Sequence, residues 1–389
     1  MNMKMTKHII STVLAAVLAS LASFPALAAS PEFSRSAEEW ESLRDNVLEY
    51  DEIADLIHEY NATVRKNDID LNEFRKDYGI TNDEWSDKYR DLADDLESAI
   101  DYPDTDDVTY GTVMAQIISN QLQAKNYRET ADDALEDYQV KYYDYQAAEC
   151  NLVSAAQTSM INYYLNQLQL AQDQTKLELL QETYQNTVTK RDLGTATDVE
   201  VLLASENVRN QEKAIHDDES AIENTRQSLI VMLGWKNTDQ PEITEIPEVD
   251  TGRIAAMDPT VDKEIAIENS YTMKSNQKKF ENAATQDRKE TLERTIRESK
   301  ETIGANLTAA YQDVLAKQTS YELSQTQAAL EEKNLRTADL QYGLGSISHM
   351  QHLTQKITTE TARINVKASK LNLFQSIQSY ENMLNGSAG

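Results

Sequence analysis

The chain has 389 residues, with 66 acidic against 37 basic side chains and a formal net charge of −29 at neutral pH. A chain this acidic presents no basic face to displace counterions from phosphates, which excludes nucleic acid as a partner. A single cysteine, Cys150, rules out a disulfide framework within the chain and reads as a small packing residue in a helical stretch.

The N-terminus reads as a secretory signal over residues 1–28. Lys4 and Lys7 form a basic start, Ile9 to Ala22 an apolar stretch, and Ala26-Leu27-Ala28 a cleavage site, so the mature chain begins near Ala29. No later segment has the roughly 18 apolar residues of a membrane-crossing helix. The chain is therefore expected to be exported. Proline is missing from Thr105 to Gln240 and from Thr260 to the end, and glycine is confined to ten positions, a pattern of very long helices.

The expected elements follow in order. A helix carrying Trp40, Leu43, Val47 and Ile53 runs to about Lys66. Polar breaks at Asn67-Asp68, Tyr78-Gly79 and Tyr102-Pro103-Asp104 bound extra helices near 66–112, which include Trp85 and Leu92. One continuous helix is expected from about Val113 to Asp192, roughly 120 Å long at 1.5 Å per residue. Gly194 stands where a terminating glycine belongs, and Thr197 or Asp198 caps the return helix. That helix carries Val201, Val208, Ile215, Ile222 and Leu229 at strict sevens, a narrow apolar seam, and closes at Gly234. Residues 235–259 form a linker with Pro241, Pro247 and Pro259, and Ile243 to Ile246 offers a short extended piece. A second long helix runs from about Val261 to Gln341, and a second return helix carries Met350, Ile357, Ile364 and Leu371 at sevens.

The halves are copies. Leu193-Gly194-Thr195-Ala196-Thr197-Asp198 recurs 151 positions later as Leu344-Gly345-Ser346-Ile347-Ser348-His349, and Met232-Leu233 recurs as Met383-Leu384. Towards the helix starts the copies align loosely, with Ile57–Tyr60 placed like Glu268–Tyr271. A long helix, a Gly-Ser/Thr turn and a shorter return helix, written twice, make an all-α fold of two tandem antiparallel helical hairpins. The divisions are residues 36–234 and 260–386. Narrow seams on helices this long leave apolar surface wet in a monomer, so oligomerisation is expected.

Sharper chemistry is not supported. Asp101 to Asp107 and Asn67 to Glu73 read as solvated turns or helix starts rather than calcium loops, and the latter lacks the central glycine and final glutamate of such a loop. The five histidines form no zinc motif, and no catalytic signature is present. The chain reads as a non-enzyme with no cofactor.

The run Lys190-Arg191-Asp192-Leu193-Gly194-Thr195-Ala196-Thr197-Asp198-Val199, closed by Met232-Leu233-Gly234, resembles the TolC family of outer-membrane efflux ducts. The second copy, Tyr342-Gly343-Leu344-Gly345-Ser346-Ile347-Ser348-His349, is similar with His349 in place of the usual aspartate. The resemblance implies a homotrimer whose pooled helices form a hollow tube. It implies tips, here Leu193, Gly194, Thr195, Thr197, Asp198 and Leu344, Gly345, Ser346, Ser348, His349, that dock a periplasmic adaptor coupled to a membrane pump. It implies the cell envelope, and the outer membrane where the organism has one. The family also inserts a β-hairpin of barrel strands into each repeat. No alternating strand of about ten residues is visible here: Asn276 to Ile303 reads as charged helix, and 66–112 is polar and acidic. A secreted structural coiled-coil protein of the envelope is the alternative reading.

Overall fold

The computed structural model describes residues 35–106 and 108–387; the signal sequence read over 1–28 lies outside the described residues. The described chain is helical apart from one pair of two-residue strands. The helices are α1 (Ala37–Ser42), α2 (Ile53–Tyr60), α3 (Ala62–Tyr78), α4 (Asn82–Ser98), α5 (Tyr110–Asp132), α6 (Tyr138–Asp192), α7 (Asp198–Met232), α8 (Pro259–Asn269), α9 (Tyr271–Asn282), α10 (Gln286–Gly343) and α11 (His349–Asn382). Strands β1 (Val47–Leu48) and β2 (Glu242–Ile243) pair in parallel.

The two hairpins are α6–α7 and α10–α11. The 55 residues of α6 and the 58 of α10 correspond to about 80–90 Å each. The hairpins are joined through α6 and α11, which run antiparallel. Asn382 Nδ2 donates to Ser154 Oγ at 3.0 Å and Gln157 Oε1 at 2.8 Å, while Lys356 lies 3.8 Å from Glu178. Both tips therefore lie at the same end.

The core sits midway along the long helices, where the return helices finish. One cluster gathers Trp40, Leu48, Ile53, Ile57, Met160, Ile161, Leu229 and Leu233; the other gathers Ile267, Met273, Ile303, Leu307, Leu373 and Tyr380. From that belt the hairpins extend on thin seams. Val201, Val208, Ile215 and Ile222 are half-buried and Leu229 is buried; Ile357 and Ile364 are buried, with Met350 and Leu371 half-buried.

Several expected helices are divided by contacts between elements distant in sequence. The single helix expected up to Lys66 is α1, β1, α2 and the start of α3. Glu242 N–H donates to Asn46 O and Thr244 N–H to Leu48 O, so pairing with a strand nearly 200 residues away holds this stretch extended. Asn67-Asp68 is no break. Val64 and Leu71, both buried and seven apart, carry the seam of α3 straight through it. The helix expected over 113–192 is interrupted at 133–137. There the buried Asp137 accepts from Val140 N–H at 2.8 Å to start α6, and Asn282 Nδ2 donates to both Leu135 O and Asp137 Oδ2 at 2.9 Å. The helix expected over 261–341 is interrupted at Ser270 and again at 283–285, where Ser270 and Thr285 cap the pieces that follow. Gly386, at the end of the second repeat, is buried in a closing turn.

The loose alignment of the helix starts moves by two residues. Asn61 at the α2–α3 joint, rather than Glu59, stands opposite Ser270 at the α8–α9 joint, and each joint sends an amide to the end of its own return helix. Asn61 Nδ2 donates to Met232 O at 2.8 Å, and Asn269 Nδ2 to Leu384 O at 2.7 Å. Gly234 and Gly386 follow in left-handed conformation, and the wider π-type turn Met383–Ser387 absorbs the one-residue difference between the copies.

The breaks at 79–81, 133–137 and 283–285 meet at one level, the end opposite the tips. Tyr138 N–H donates to Ile80 O, Asn82 Nδ2 to Glu136 O, and Arg288 pairs with Asp133 at 3.0 Å. Here the repeats differ. The second passes directly from α9 to α10, so Asn276 to Ile303 is helix apart from that short link. The first inserts the hairpin α4–α5, closed on the narrow seam of Ile117, Ala124 and Ala131 and bridged by Arg128 to Asp94. The surplus expected near 66–112 is thus a two-helix hairpin reaching residue 132.

Candidate functional site

The two tips share one construction. In the first, Leu193 ends α6 and Gly194 turns left-handed at φ 74°. Gly194 N–H donates to Arg191 O and Thr195 N–H reaches back to Lys190 O, both at 2.8 Å, which satisfies carbonyls otherwise orphaned at the helix end. Thr197 then caps α7. Its hydroxyl accepts from Glu200 N–H, and Glu200 Oε2 accepts in return from Thr197 N–H at 2.7 Å.

The second tip repeats this bond for bond. Gly345 has φ 71°, Gly345 N–H donates to Tyr342 O at 2.9 Å, and Ser346 N–H donates to Gln341 O at 2.8 Å. Ser348 caps α11 in a reciprocal pair with Gln351. A Cβ on either glycine would meet nothing within 4 Å, so glycine is needed for its backbone conformation and not for space.

These turns hold Leu193 and Leu344 outward, 74% and 81% exposed. Val199, Leu202 and Leu203 beside the first tip and Leu340 beside the second are exposed as well. Thr195, Thr197, Asp198, Ser346, Ser348 and His349 all lie on the turn surface. Each set of five comes together within its own turn.

The tips differ in charge. Arg191 bonds Asp192 at 2.7 Å and lies 3.8 Å from Asp198. Backbone and hydroxyl donation from Thr197 holds the Glu200 carboxyl below its ordinary range, so the first cap is ionised at neutral pH. The second tip carries the neutral Gln351 instead, with the Tyr342 ring stacked on His352 at 4.6 Å and His352 bonded to Asp339 at 2.6 Å. His352 lies outside the two motif runs, and Arg191 and Tyr342 lie inside them without having been named as docking residues. Their one signal is position, within a turn or two of each glycine on the flanking helices.

Elsewhere the chemistry is sparse. No group of three or more His, Cys, Asp or Glu is placed to hold a metal ion among the described residues. Burial and the neighbouring Glu149 push the half-buried Cys150 thiol up, away from reactivity. Among the described residues no helix is long and apolar enough to cross a membrane.

Compared with known proteins, the chain matches no protein-family model and no curated protein by sequence. It is similar in structure to several solved proteins. The Campylobacter jejuni CmeC outer membrane channel has a TM-score of 0.56 at 10% identity, over 90% of this chain and 88% of that one. A membrane protein from Pseudomonas aeruginosa gives 0.58 at 13% identity, over 87% and 91%. The outer membrane protein VceC from Vibrio cholerae gives 0.53 at 9% identity, over 91% and 100%. At these identities the likeness is one of fold, and it extends over nearly the whole of each chain. The duplicated helical hairpin is thus a TolC-like fold, shared with solved outer-membrane proteins, one of them a channel.

Proposed function

We propose that this chain is the exit duct of an export system. Three copies pool their hairpins into a hollow helical tube, and the tips dock a periplasmic-adaptor-like protein that couples the tube to a membrane pump. The cargo, small molecules or peptides, is moved across the cell envelope. The observation that carries this reading is the pair of matched tips, with Leu193 and Leu344 held outward by rigid capped turns at one end of a two-hairpin frame. Exposed leucines without a function are a solubility cost, and a pair of them on the same motif fits a partner surface.

Assembly has its own support. Leu323 and Leu330, seven apart on α10, are exposed, as are Leu202 and Leu203 on α7. Stripes of this kind on long helices with thin seams are covered when neighbouring hairpins pack side by side. In this reading the working units are the repeats 36–234 and 260–386, with the linker 235–259 between them, and an N-terminal export signal delivers the mature protein to the envelope.

The test is the solution mass of the mature chain from residue 29 by light scattering, followed by electron microscopy of the same sample. A stable trimer with a hollow ring supports the duct. A monomer or dimer at micromolar concentration sinks the self-assembled tube. Solid rods without a lumen would favour the structural coiled-coil protein instead.

A further inference from the structure

Between the repeats, at the level of the core, lies a cavity of about 450 Å³ walled by α6, α10 and α11. Its size falls within the roughly 300–1,000 Å³ of small-ligand sites. In so acidic a chain its wall is unusual. From Cys150 to Gln172 on α6, and from Leu371 to Tyr380 on α11, no residue is charged. The cavity is lined instead by carboxamides and hydroxyls, among them Asn151, Gln157 and Thr158 from α6 and Gln375 and Gln378 from α11. The charged pair on its rim, Asp313 and Lys317, stands one turn apart on α10 and cancels.

Part of this wall is already fixed in place. Gln378 Nε2 donates to Asn382 Oδ1 at 2.9 Å, and Asn382 in turn holds Ser154 and Gln157. The side chains of Asn151, Thr158 and Gln375 make no hydrogen bond among the described residues. The inner end is formed by Tyr50, only 5% exposed, its ring edge-on to Phe374 at 5.0 Å. The Tyr50 hydroxyl is buried with no hydrogen-bond partner among the described residues. No water fits beside that oxygen, so the cavity is bounded by the Tyr50 ring and not by its hydroxyl.

We propose that this cavity is a binding site for a neutral polyhydroxylated molecule, a mono- or disaccharide, held by the carboxamides and hydroxyls of α6 and α11. Each sugar hydroxyl both donates and accepts, which matches the fork of an Asn or Gln side chain. A charged ligand would find no net countercharge, and a peptide would need apolar subsites that this wall supplies only at Ile161, Met383 and the Tyr50 ring. The site lies within one chain and holds whether or not the chain assembles into a tube.

The test is calorimetric titration of the mature chain with glucose and with maltose, using glucose 6-phosphate as a charged control. Saturable binding of a neutral sugar, at least about tenfold tighter than the phosphate, is expected. Gln375→Leu should leave the thermal stability of the sugar-free protein unchanged, because it removes a side chain that bonds nothing there, and should weaken sugar binding about five- to tenfold. Thr158→Val, a near-isosteric exchange on α6, should weaken binding similarly. The proposal is overturned by the absence of binding to either sugar at about 10 mM, by equal binding of the phosphate, or by unchanged affinity in both variants.

Discussion

Two glycines in the same backbone region should respond very differently to alanine. Gly194 at the first tip has φ 74°, and an added methyl meets nothing within 4 Å. Gly194→Ala then costs only the left-handed strain of an L-residue, about 1 kcal/mol. Gly234 at the base of α7 has φ 96°, and its added Cβ would lie 2.3 Å from Tyr60 Cβ and 3.0 Å from the Tyr60 carbonyl oxygen. The obstacle is partly backbone, at the joint where Asn61 holds Met232 O, so neither side can give way without breaking that bond. Adding overpacking to the same strain gives roughly 2–4 kcal/mol for Gly234→Ala. Thermal unfolding followed by circular dichroism would show a midpoint loss of about 2 °C or less for Gly194→Ala and a several-fold larger loss for Gly234→Ala. Gly345→Ala should behave like Gly194→Ala. Equal losses at Gly194 and Gly234 would refute the reasoning, because they would mean either that the tip glycine is packed or that the joint is not built around Gly234.

Asn61 and Asn269 look equivalent as bridges but do unequal amounts. Asn61 also caps α3 through Thr63 and Val64, whereas Ser270 caps α9 in the second repeat. Asn61→Ala should therefore cost about 2 kcal/mol and Asn269→Ala about 1 kcal/mol in urea titrations, and the reverse order would refute that division of roles. In the α6–α7 hairpin, Asp218 faces Asp173, its Oδ2 buried without a donor among the described residues. Burial first, then Asp173, pushes the Asp218 carboxyl up. The folded state thus holds that proton more tightly than the unfolded chain, and stability is lost as pH rises from the ordinary carboxylate range through the raised value. Asp218→Asn, whose amide can donate to Asp173, should raise the unfolding midpoint at neutral pH. The gain should shrink as the pH is lowered towards the ordinary carboxylate range, and a gain independent of pH would rule out this cause.

Features that close within a few residues were legible in the chain alone. The all-helical class follows from glycine and proline placement. Both tips follow from a glycine that can turn left-handed and a Thr or Ser that caps the next helix, each bond spanning five residues or fewer. The heptad seams follow from spacing. The outward display of Leu193 and Leu344 follows for the same reason, since a capped turn leaves its intervening residue nowhere to pack.

Where the long helices break is a matter of tertiary contacts. Asn61, Ser270, 133–137 and 283–285 carry neither glycine nor proline, and they are divided by partners far along the chain: Met232 O, Leu384 O, Ile80 O and Asn282. A local pattern cannot announce a bond whose other half lies 50 to 200 residues away. The polar cavity between α6 and α11 was hidden in the same way. Each of its walls, read alone, is an ordinary uncharged helix face, and only the antiparallel packing of the two repeats brings those faces together around one polar space.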